Sequence, residues 1–228
     1  MPTEQPQRTL TIVGAVVAFA LLLAILFMLP RVISALILLF ERRRPLEPSE
    51  RARIALAAHY AKLYEMSDAD LAGLPPLRRQ AIWNALRDEW GIRGQRSRKR
   101  TQSRHALDWL RDVGHRSDPR FAPPQGCDPI PRGRALVAWD CGRLVHLSRL
   151  CFFAGYIDEE EAWQYIHAAA RRLSLMFDSW ASYGEALLAG RDLWNRAAAD
   201  ELARAIGTLL TKADSPWREH SWARAVGF

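Results

Sequence analysis

The chain has 228 residues, of which 49% are hydrophobic and 25% charged, with 32 Lys and Arg against 25 Asp and Glu. This composition is typical of a folded protein and excludes a disordered or fibrous chain. The cysteines are too widely spaced for a disulfide scaffold or a zinc knuckle, and neither a P-loop nor a G-x-G-x-x-G fingerprint occurs. What remains is a basic protein without the usual nucleotide-binding motifs.

The most apolar part of the chain lies near its N-terminus. Leu10 to Leu29 carries no charge and a single polar side chain, Thr11. Such a segment, at about 1.5 Å rise per residue, spans about 30 Å, which is the thickness of a bilayer's hydrocarbon core. We therefore predict a single transmembrane helix over residues 10–30, after a short tail over residues 1–9. A cleaved signal peptide fits less well, because its apolar core would be only about 7–15 residues long.

A basic linker over residues 31–48 is predicted to follow. Pro30 and Arg31 interrupt the apolar run, which continues from Val32 to Phe40. Either the helix ends at Pro30 and the second stretch lies in the interface, or one tilted helix is kinked there with Arg31 snorkelling. We favour the first arrangement, because a charge deep in hydrocarbon costs about 2.5–3.5 kcal/mol.

The positive charge on the two sides of this helix predicts its orientation. The tail before Leu10 has one Arg, whereas residues 31–53 have six. The positive-inside rule then places the N-terminus outside and the C-terminal domain in the cytoplasm. Unpaired cysteines agree with a reducing compartment. In a bacterium this membrane would be the inner, cytoplasmic one.

Residues 49–228 are predicted to form an all-α bundle of about seven or eight helices. Apolar side chains recur there at helical spacing, and no segment shows sustained period-two alternation. Residues 115–134 contain five prolines and are predicted to be an irregular loop. The aromatic tail is expected to fold back on the bundle. The predicted helices are Ser49 to Glu65, a short one from Ser67, Leu77 to Trp90, Ser103 to Val113, Arg134 to Phe153, Asp158 to Phe177, Ser179 to Arg196, and Asp200 to Lys212.

The densest basic run extends from Arg93 to Arg104 and contains no acidic residue. Anionic lipid attracts such a run by about 1 kcal/mol per basic residue close to the surface, and phosphates of nucleic acids attract it too. No aromatic residue interleaves the run, so lipid is favoured over nucleic acid, with a solvated loop as the remaining alternative. The cations expected to face lipid are Arg42, Arg43, Arg44, Arg93, Arg96, Arg98, Lys99, Arg100 and Arg104.

Two charged residues fall within apolar helical stripes. Asp140 lies in the stripe of its predicted helix, and Arg191 holds the same kind of position two helices later. A buried ion costs several kcal/mol unless it is paired. We therefore expect Asp140 and Arg191 to face each other, with Arg143 or Arg149 nearby. The pair is either a salt bridge that fixes helix register or the polar part of a ligand pocket.

Aromatic residues on the same helices complete the candidate binding site. Trp139, Trp163, Trp180 and Trp194 lie at helical positions next to small residues, where core packing is the commoner role. The histidines show no H-x-x-x-H or H-x-x-E pattern, so neither a metal site nor a cofactor is expected. The candidate binding residues are Asp140, Arg143, Arg149, Arg191, Trp139, Trp180, Tyr183 and Trp194.

Several short strings in the second half resemble one protein family. AWDCGR at residues 138–143, AGY at 154–156, EAW at 161–163 and GR at 190–191 are similar to the signature of the bacterial family called domain of unknown function 1266. The resemblance covers roughly residues 55–225.

The resemblance implies an α-helical domain in a bacterium. It also singles out Asp140, Arg143 and Arg191, which the apolar stripes indicate independently. By analogy with accessory and immunity-type proteins, it favours a protein that binds a partner.

These observations lead to one functional expectation and two alternatives. We expect a membrane-tethered, non-enzymatic binding protein, accessory or immunity-type, that holds a protein partner at the bacterial inner membrane. The first alternative is an enzyme that acts on a phosphorylated or nucleotide-like substrate, with Asp140 as general base and Arg143 and Arg191 as anion clamps. The second is a scaffold that uses the basic run to bind an anionic lipid surface.

Overall fold

The chain divides into two compact units, residues 1–43 and residues 44–228. The predicted transmembrane helix, apart from residues 28 and 29, lies outside the described residues. Among the helices that are described, none combines the length and the apolar character needed to cross a membrane. This computed structural model describes residues 28–29, 44–60, 66–73, 78–112, 129–194 and 199–227.

The described part of residues 44–228 is built from helices and contains no strand, which confirms the all-α prediction. A 3₁₀ turn, Ala55–Ala57, follows the first helix directly. The helices are α1 (Pro48–Ile54), α2 (Arg79–Asp88), α3 (Arg96–Arg111), α4 (Pro129–Ala154), α5 (Glu159–Ser174), α6 (Trp180–Trp194), α7 (Ala199–Thr211), α8 (Pro216–Glu219) and α9 (Trp222–Val226).

Local capping signals define the boundary between α4 and α5 as predicted. Asp158 is the N-cap of α5, and its carboxylate accepts a hydrogen bond from the Glu161 backbone N–H at 2.8 Å. The Glu161 carboxylate accepts one from the Asp158 N–H at 3.2 Å, which completes a capping box. Gly155 ends α4 with φ of 76°, a conformation that side chains disfavour. The turn between the two helices is therefore encoded locally.

Other boundaries differ from the prediction. The N-cap of α1 is Glu47 rather than Ser49. α3 begins at Arg96, so most of the basic run is helical and not a solvated loop. α4 begins at Pro129, inside the segment predicted to be irregular. A proline in the first turn of a helix costs no hydrogen bond, since the N–H groups there have no intrahelical acceptor.

The short helix predicted from Ser67 is absent over the described residues 66–73, which form bends. The Ser67 hydroxyl accepts a hydrogen bond from the Ala69 N–H at 3.0 Å. The Asp70 carboxylate accepts one from the Gly73 N–H at 2.6 Å. These local bonds compete with helix formation, because the short polar side chains take backbone donors for themselves.

α4 is the central helix of the domain. It packs most extensively against α5 and α6, and also against α2, α3 and the 3₁₀ turn. Every residue from 144 to 153 is buried as a result. Because α4 has neighbours all round, it lacks the one-sided apolar stripe of a surface helix. This burial is what makes the charged residues of α4 informative.

The C-terminal tail folds back on the bundle, as expected. The indole N–H of Trp217 donates to the Ala55 carbonyl at 2.8 Å, and that of Trp222 donates to the Phe177 carbonyl at 2.9 Å. The Trp180 ring stacks on Trp217 at 4.9 Å between centroids and meets Trp222 edge-on at 5.0 Å. These contacts bury the aromatic side chains and satisfy their polar groups.

Candidate functional site

The middle of α4 carries a buried ion pair. A guanidinium nitrogen of Arg143 lies 3.3 Å from a carboxylate oxygen of Asp140, and the two side chains are 11% and 5% exposed. The Arg143 guanidinium also lies 4.7 Å from the centroid of the Trp90 ring. A charge buried this deeply requires a counter-charge nearby. Arg143, one turn after Asp140 on the same helix, supplies that counter-charge.

Arg191 does not have the partner that the sequence predicts. Among the described ion pairs, Asp140 is bonded to Arg143 and not to Arg191. The Arg191 guanidinium lies 5.3 Å from the centroid of the Trp139 ring, a cation–π contact. Gly190 permits this approach, because a Cβ atom there would lie 2.6 Å from the Trp139 Cβ. The direct Asp140–Arg191 pair was therefore the wrong expectation, although both residues lie against the same part of α4.

Tyr60 joins this group from the helical residues that follow the 3₁₀ turn. Its ring stacks on His146 at 4.3 Å and lies 6.2 Å from Trp139, between centroids. The pKa of Tyr60 is raised by burial, and the positive charges of Arg143 and Arg191 oppose that rise. Tyr60 is thus within the electrostatic reach of both arginines, and sequence reasoning missed it.

Two buried histidines flank Tyr60. Burial lowers the pKa of His59 to about 3, and it lowers the pKa of His146 well below its usual range, with further lowering by the charge of Arg149. Neither ring nitrogen of His59 has a hydrogen-bond partner among the described residues. Gly142 makes room for this ring, because a Cβ there would lie 2.9 Å from His59 Cε1. Both imidazoles are therefore neutral near pH 7.

We define the α4 cluster as Tyr60, Asp140, Arg143 and Arg191. The Asp140 carboxylate already accepts a hydrogen bond from Arg143, which weakens the case for Asp140 as a general base. Arg191 has no carboxylate partner among the described residues and is half-buried. Guanidinium and phenol groups are hydrogen-bond donors, so the cluster is suited to binding an anionic group.

Arg149 has a structural position away from the α4 cluster. It is 3% exposed, and its guanidinium donates to the backbone carbonyls of Leu71 at 3.0 Å, of Asp70 at 3.4 Å and of Ser67. Burial lowers the pKa of Arg149 to about 10. The expectation that Arg149 lies beside Asp140 in a binding site is therefore not met, because its donors hold residues 66–73 against α4.

The aromatic candidates are core residues rather than ligand platforms. Trp180 and Tyr183 are buried, and their polar atoms donate to the backbone carbonyls of His220 and Leu56, both at 2.8 Å. Trp139 is 4% exposed, and its ring contacts the Arg191 guanidinium. The side chain of Trp194 lies outside the described residues. Of the predicted aromatic set, Trp139 contacts the α4 cluster, through Arg191 and Tyr60.

The basic run forms the beginning of α3. Arg96, Arg98 and Arg100 are exposed, and no carboxylate of a described residue forms an ion pair with them. Lys99 lies 5.8 Å from the centroid of the Tyr156 ring. α3 has no acidic residue in its first turn. Because a helix N-terminus already carries a partial positive charge, these cations destabilise the helix that contains them.

Other cations of the predicted lipid-facing set are neutralised within the domain. Arg44 forms ion pairs with Glu50 at 2.7 Å and with Glu159 at 2.6 Å. Arg104 pairs with Glu161 at 2.6 Å. Arg93 is exposed, whereas Arg42 and Arg43 lie outside the described residues. The unpaired charge of the basic run is therefore concentrated at the start of α3.

One group of side chains, separate from these, has the composition of a metal site. The ligand atoms of Asp68, Glu219 and His220 all lie within 4.8 Å of one another. The sequence predicts no metal site, because the histidines lack ligand spacing and Asp68 is about 150 residues away from Glu219 and His220. Only the folded domain brings the three together.

One protein family matches much of the C-terminal half of the chain. The family described as "Protein of unknown function (DUF1266)" matches residues 122–222. These residues are similar to the DUF1266 family. No curated protein and no solved structure matches the chain. The resemblance noted in the sequence is thus confirmed over α4 to α8, but the match does not extend back to residue 55.

The DUF1266 segment contains most of the α4 cluster. It includes the Asp140–Arg143 pair, Gly142 and the Gly190–Arg191 step that brings α6 close to α4. Tyr60 and His59 come from outside the matched residues. The α4 cluster is therefore completed by a part of the chain that the DUF1266 match leaves out.

Proposed function

We propose that this protein is a non-enzymatic binding protein, tethered to a membrane by a transmembrane helix over residues 10–30. Its helical domain rests on the anionic membrane surface through the basic turn, which we define as Arg96, Arg98, Lys99 and Arg100. In this position the domain holds a protein partner, as an accessory or immunity-type protein does. The bacterial inner membrane, with the domain on its cytoplasmic side, is the location that we propose.

The basic turn is the observation that supports this proposal most directly. It crowds four cations into the first five residues of α3, where the helix dipole is already positive. α5 shows the opposite and favourable arrangement, with Glu159, Glu160 and Glu161 in its first turn. An arrangement that costs stability is expected where an external anion supplies the missing counter-charge, and lipid headgroups do so at about 1 kcal/mol per cation.

The proposed tether keeps the basic turn close to the membrane surface. Residues 31–43 would be at most about 45 Å long if fully extended, which limits how far the domain can move from the bilayer. Arg44 then begins the folded domain through its ion pairs with Glu50 and Glu159. A short connection raises the effective concentration of the basic turn at the membrane surface.

Exposed apolar side chains support the part of the proposal that concerns a protein partner. Trp83 on α2 is 40% exposed and Trp109 on α3 is 37% exposed. Leu175 and Met176, between α5 and α6, are 82% and 36% exposed. Tryptophan is enriched at the energetic centres of protein interfaces. These side chains are the first positions to vary in a partner-binding assay.

Hydrogen–deuterium exchange on the full chain tests the role of the basic turn. The chain is reconstituted in nanodiscs of neutral phosphatidylcholine, with or without anionic phosphatidylglycerol. We expect slower exchange in α3 on the anionic discs, and we expect about 0.5 M salt to remove the difference, because salt screens charges beyond a few ångströms. Failure of the chain to enter either disc would contradict the tether.

A matched pair of variants distinguishes membrane binding by the basic turn from a general effect of net charge. The test variant changes Arg96, Arg98 and Arg100 to Gln, and the control changes the exposed Arg204, Arg218 and Arg224 to Gln. Both lower the net charge equally. We expect the protection of α3 to disappear in the first variant only. Equal protection in both would overturn the proposed membrane contact.

A second candidate function rests on the α4 cluster. Arg191 is half-buried, lies on Trp139 and has no described carboxylate partner, and Tyr60 and Arg143 are near it. This supports the binding of a phosphorylated small molecule. Thermal unfolding of the full chain with inorganic phosphate or a nucleoside phosphate tests it. A rise in Tm that Arg191→Gln removes and Arg204→Gln retains would favour the second candidate.

A further inference from the structure

Asp68, Glu219 and His220 form a compact group at a junction of the fold. Asp68 belongs to the bends at residues 66–73, Glu219 ends α8, and His220 is the residue that caps α8. Their ligand atoms, two carboxylate oxygens and one imidazole nitrogen, lie within 4.8 Å of one another. Two carboxylates this close repel each other, and a cation between them would relieve that repulsion.

His220 provides an independent indication of a ligand. The residue is 4% exposed, and neither of its ring nitrogens has a hydrogen-bond partner among the described residues. Buried polar groups are nearly always satisfied, so an imidazole in this state needs an explanation. One of its nitrogens faces the carboxylates of Asp68 and Glu219, where a bound cation would satisfy it.

Hydrogen bonds hold the backbone of His220 in place. The His220 carbonyl accepts a hydrogen bond from the Trp180 indole at 2.8 Å, and its N–H donates to the Pro216 carbonyl at 3.0 Å. Asp68 is held in a similar way, because the Ser67 carbonyl next to it accepts a hydrogen bond from the buried Arg149. Two of the three groups are therefore positioned before any ion arrives, which lowers the cost of binding.

We propose that Asp68, Glu219 and His220 bind one divalent transition-metal ion, with Zn²⁺ or Mn²⁺ as the class that fits. A donor set of one imidazole and two carboxylates suits these ions better than Ca²⁺ or Mg²⁺, which prefer oxygen alone. Ligand atoms of a tetrahedral zinc ion lie about 3.5 Å apart. The exposed Glu219 side chain can supply the adjustment from the present spacing.

Charge near the site favours a cation. The two carboxylates carry two negative charges, and the buried cation Arg149 interacts electrostatically with Asp68 but donates its hydrogen bonds to backbone carbonyls. An ion bound here would link the bends at residues 66–73 to the C-terminal tail. Three protein ligands leave a coordination position for water.

Metal titration of the full chain tests the proposal. The chain, purified without a histidine tag and stripped with a chelator, is titrated with Zn²⁺ or Mn²⁺ by calorimetry and its metal content is measured. We expect about one ion per chain and a higher Tm with the ion. Asp68→Asn and Glu219→Gln should each weaken binding at least about tenfold, and His220→Asn should abolish it.

The controls are Glu185→Gln and Asp192→Asn, two exposed carboxylates of α6 that lie outside the group. They should bind the ion as the unchanged chain does. Equal affinity in all variants would indicate an adventitious ion only and would overturn the site, as would the absence of binding. Should His220→Asn fail to fold, Asp68→Asn and Glu219→Gln decide the outcome, because neither side chain is buried.

Discussion

The Tyr183 hydroxyl donates a hydrogen bond of 2.8 Å to the Leu56 carbonyl, across 127 residues of the chain. Both residues are fully buried. The neighbouring Ala55 carbonyl accepts a bond from Trp217 in the same way. Side chains of α6 and α8 thus satisfy consecutive backbone acceptors of the 3₁₀ turn. This pair of bonds fixes the turn from which Tyr60 and His59 reach the α4 cluster.

Tyr183→Phe removes one of these bonds while it keeps the ring. We expect the free energy of unfolding in urea to fall by about 1–2 kcal/mol, because the buried Leu56 carbonyl loses a donor. The control is Tyr156→Phe, since the Tyr156 hydroxyl has no hydrogen bond to another described residue. Equal stability of the two variants would show that the Leu56 bond contributes nothing.

Arg149 supports a larger stability prediction. Arg149→Met keeps the length of the side chain but leaves the carbonyls of Ser67, Asp70 and Leu71 without their donor. We expect a loss of about 3 kcal/mol or more in the free energy of unfolding, because hydrogen bonds from a charged donor contribute about 1.5–3 kcal/mol each. Proteolysis should also cut residues 66–73 more readily in the variant.

The matched control for Arg149 is Arg172→Met. Arg172 donates to one backbone carbonyl, that of Arg111, at the surface of the domain. Its loss should change the unfolding free energy much less, because water replaces an exposed hydrogen bond. If both variants lost the same stability, the burial of Arg149 would not be the cause.

Sequence patterns predicted the helices well wherever the signal is local. Asp158 with Glu161, and Gly155 after α4, are start and stop signals that act within a few residues. The sequence patterns failed where a residue far away in the chain contributes to the local structure. The bends at residues 66–73 depend on the local bonds of Ser67 and Asp70 and also on Arg149, nearly 80 residues away, whose donors bond carbonyls that a helix would have bonded internally.

The candidate site was predicted only in part, for a similar reason. A charge in an apolar stripe is visible in the sequence, and this identified Asp140 and Arg191. The partners of Asp140 and Arg191 cannot be read from the sequence. Asp140 pairs with Arg143 on the same helix and Arg191 contacts Trp139, and both contacts compete with a direct Asp140–Arg191 pair. Tyr60 carried no signal at all, since it reaches α4 only through the folded domain.

The buried histidines predict a loss of stability at mildly acidic pH. The pKa of His59 falls from 6.5 to about 3 on folding, so the unfolded chain binds more protons between these values. Stability is therefore full above pH 6.5 and falls as the pH falls. At pH 5 we expect the free energy of unfolding to be about 2 kcal/mol lower than at pH 7 from His59 alone. His146 adds to this loss.

His59→Leu checks the assignment, with His105→Leu on the exposed face of α3 as the control. The stability of the His59 variant should depend less on pH between 5 and 7. Carboxylates affect stability at a lower pH, because the pKa values of Glu50 and Glu161 are held below 4.5 by Arg44 and Arg104. An unchanged pH dependence in the His59 variant would contradict the neutral buried imidazole.

Asp140→Asn separates a structural role of the α4 cluster from a binding role. It leaves the Arg143 charge buried without its carboxylate, so we expect a loss of about 3 kcal/mol in the free energy of unfolding. Asp88→Asn breaks the exposed Arg87–Asp88 pair and should change stability little. An Asp140 variant as stable as the unchanged chain would instead indicate that the carboxylate is retained for binding.

Arg98→Glu should separate the stability of α3 from its proposed role at the membrane. Arg98 is the third residue of α3, where a negative side chain is favourable and a positive one is not. We expect the free energy of unfolding to rise by about 0.3–1 kcal/mol, while the protection of α3 on anionic nanodiscs falls. The control, Arg111→Glu at the other end of α3, should lower stability instead, because a helix C-terminus favours a positive charge. An Arg98 variant that is more stable, and whose α3 is protected as before on anionic nanodiscs, would show that the basic turn does not bind the membrane. The cations would then destabilise α3 without a compensating contact with lipid.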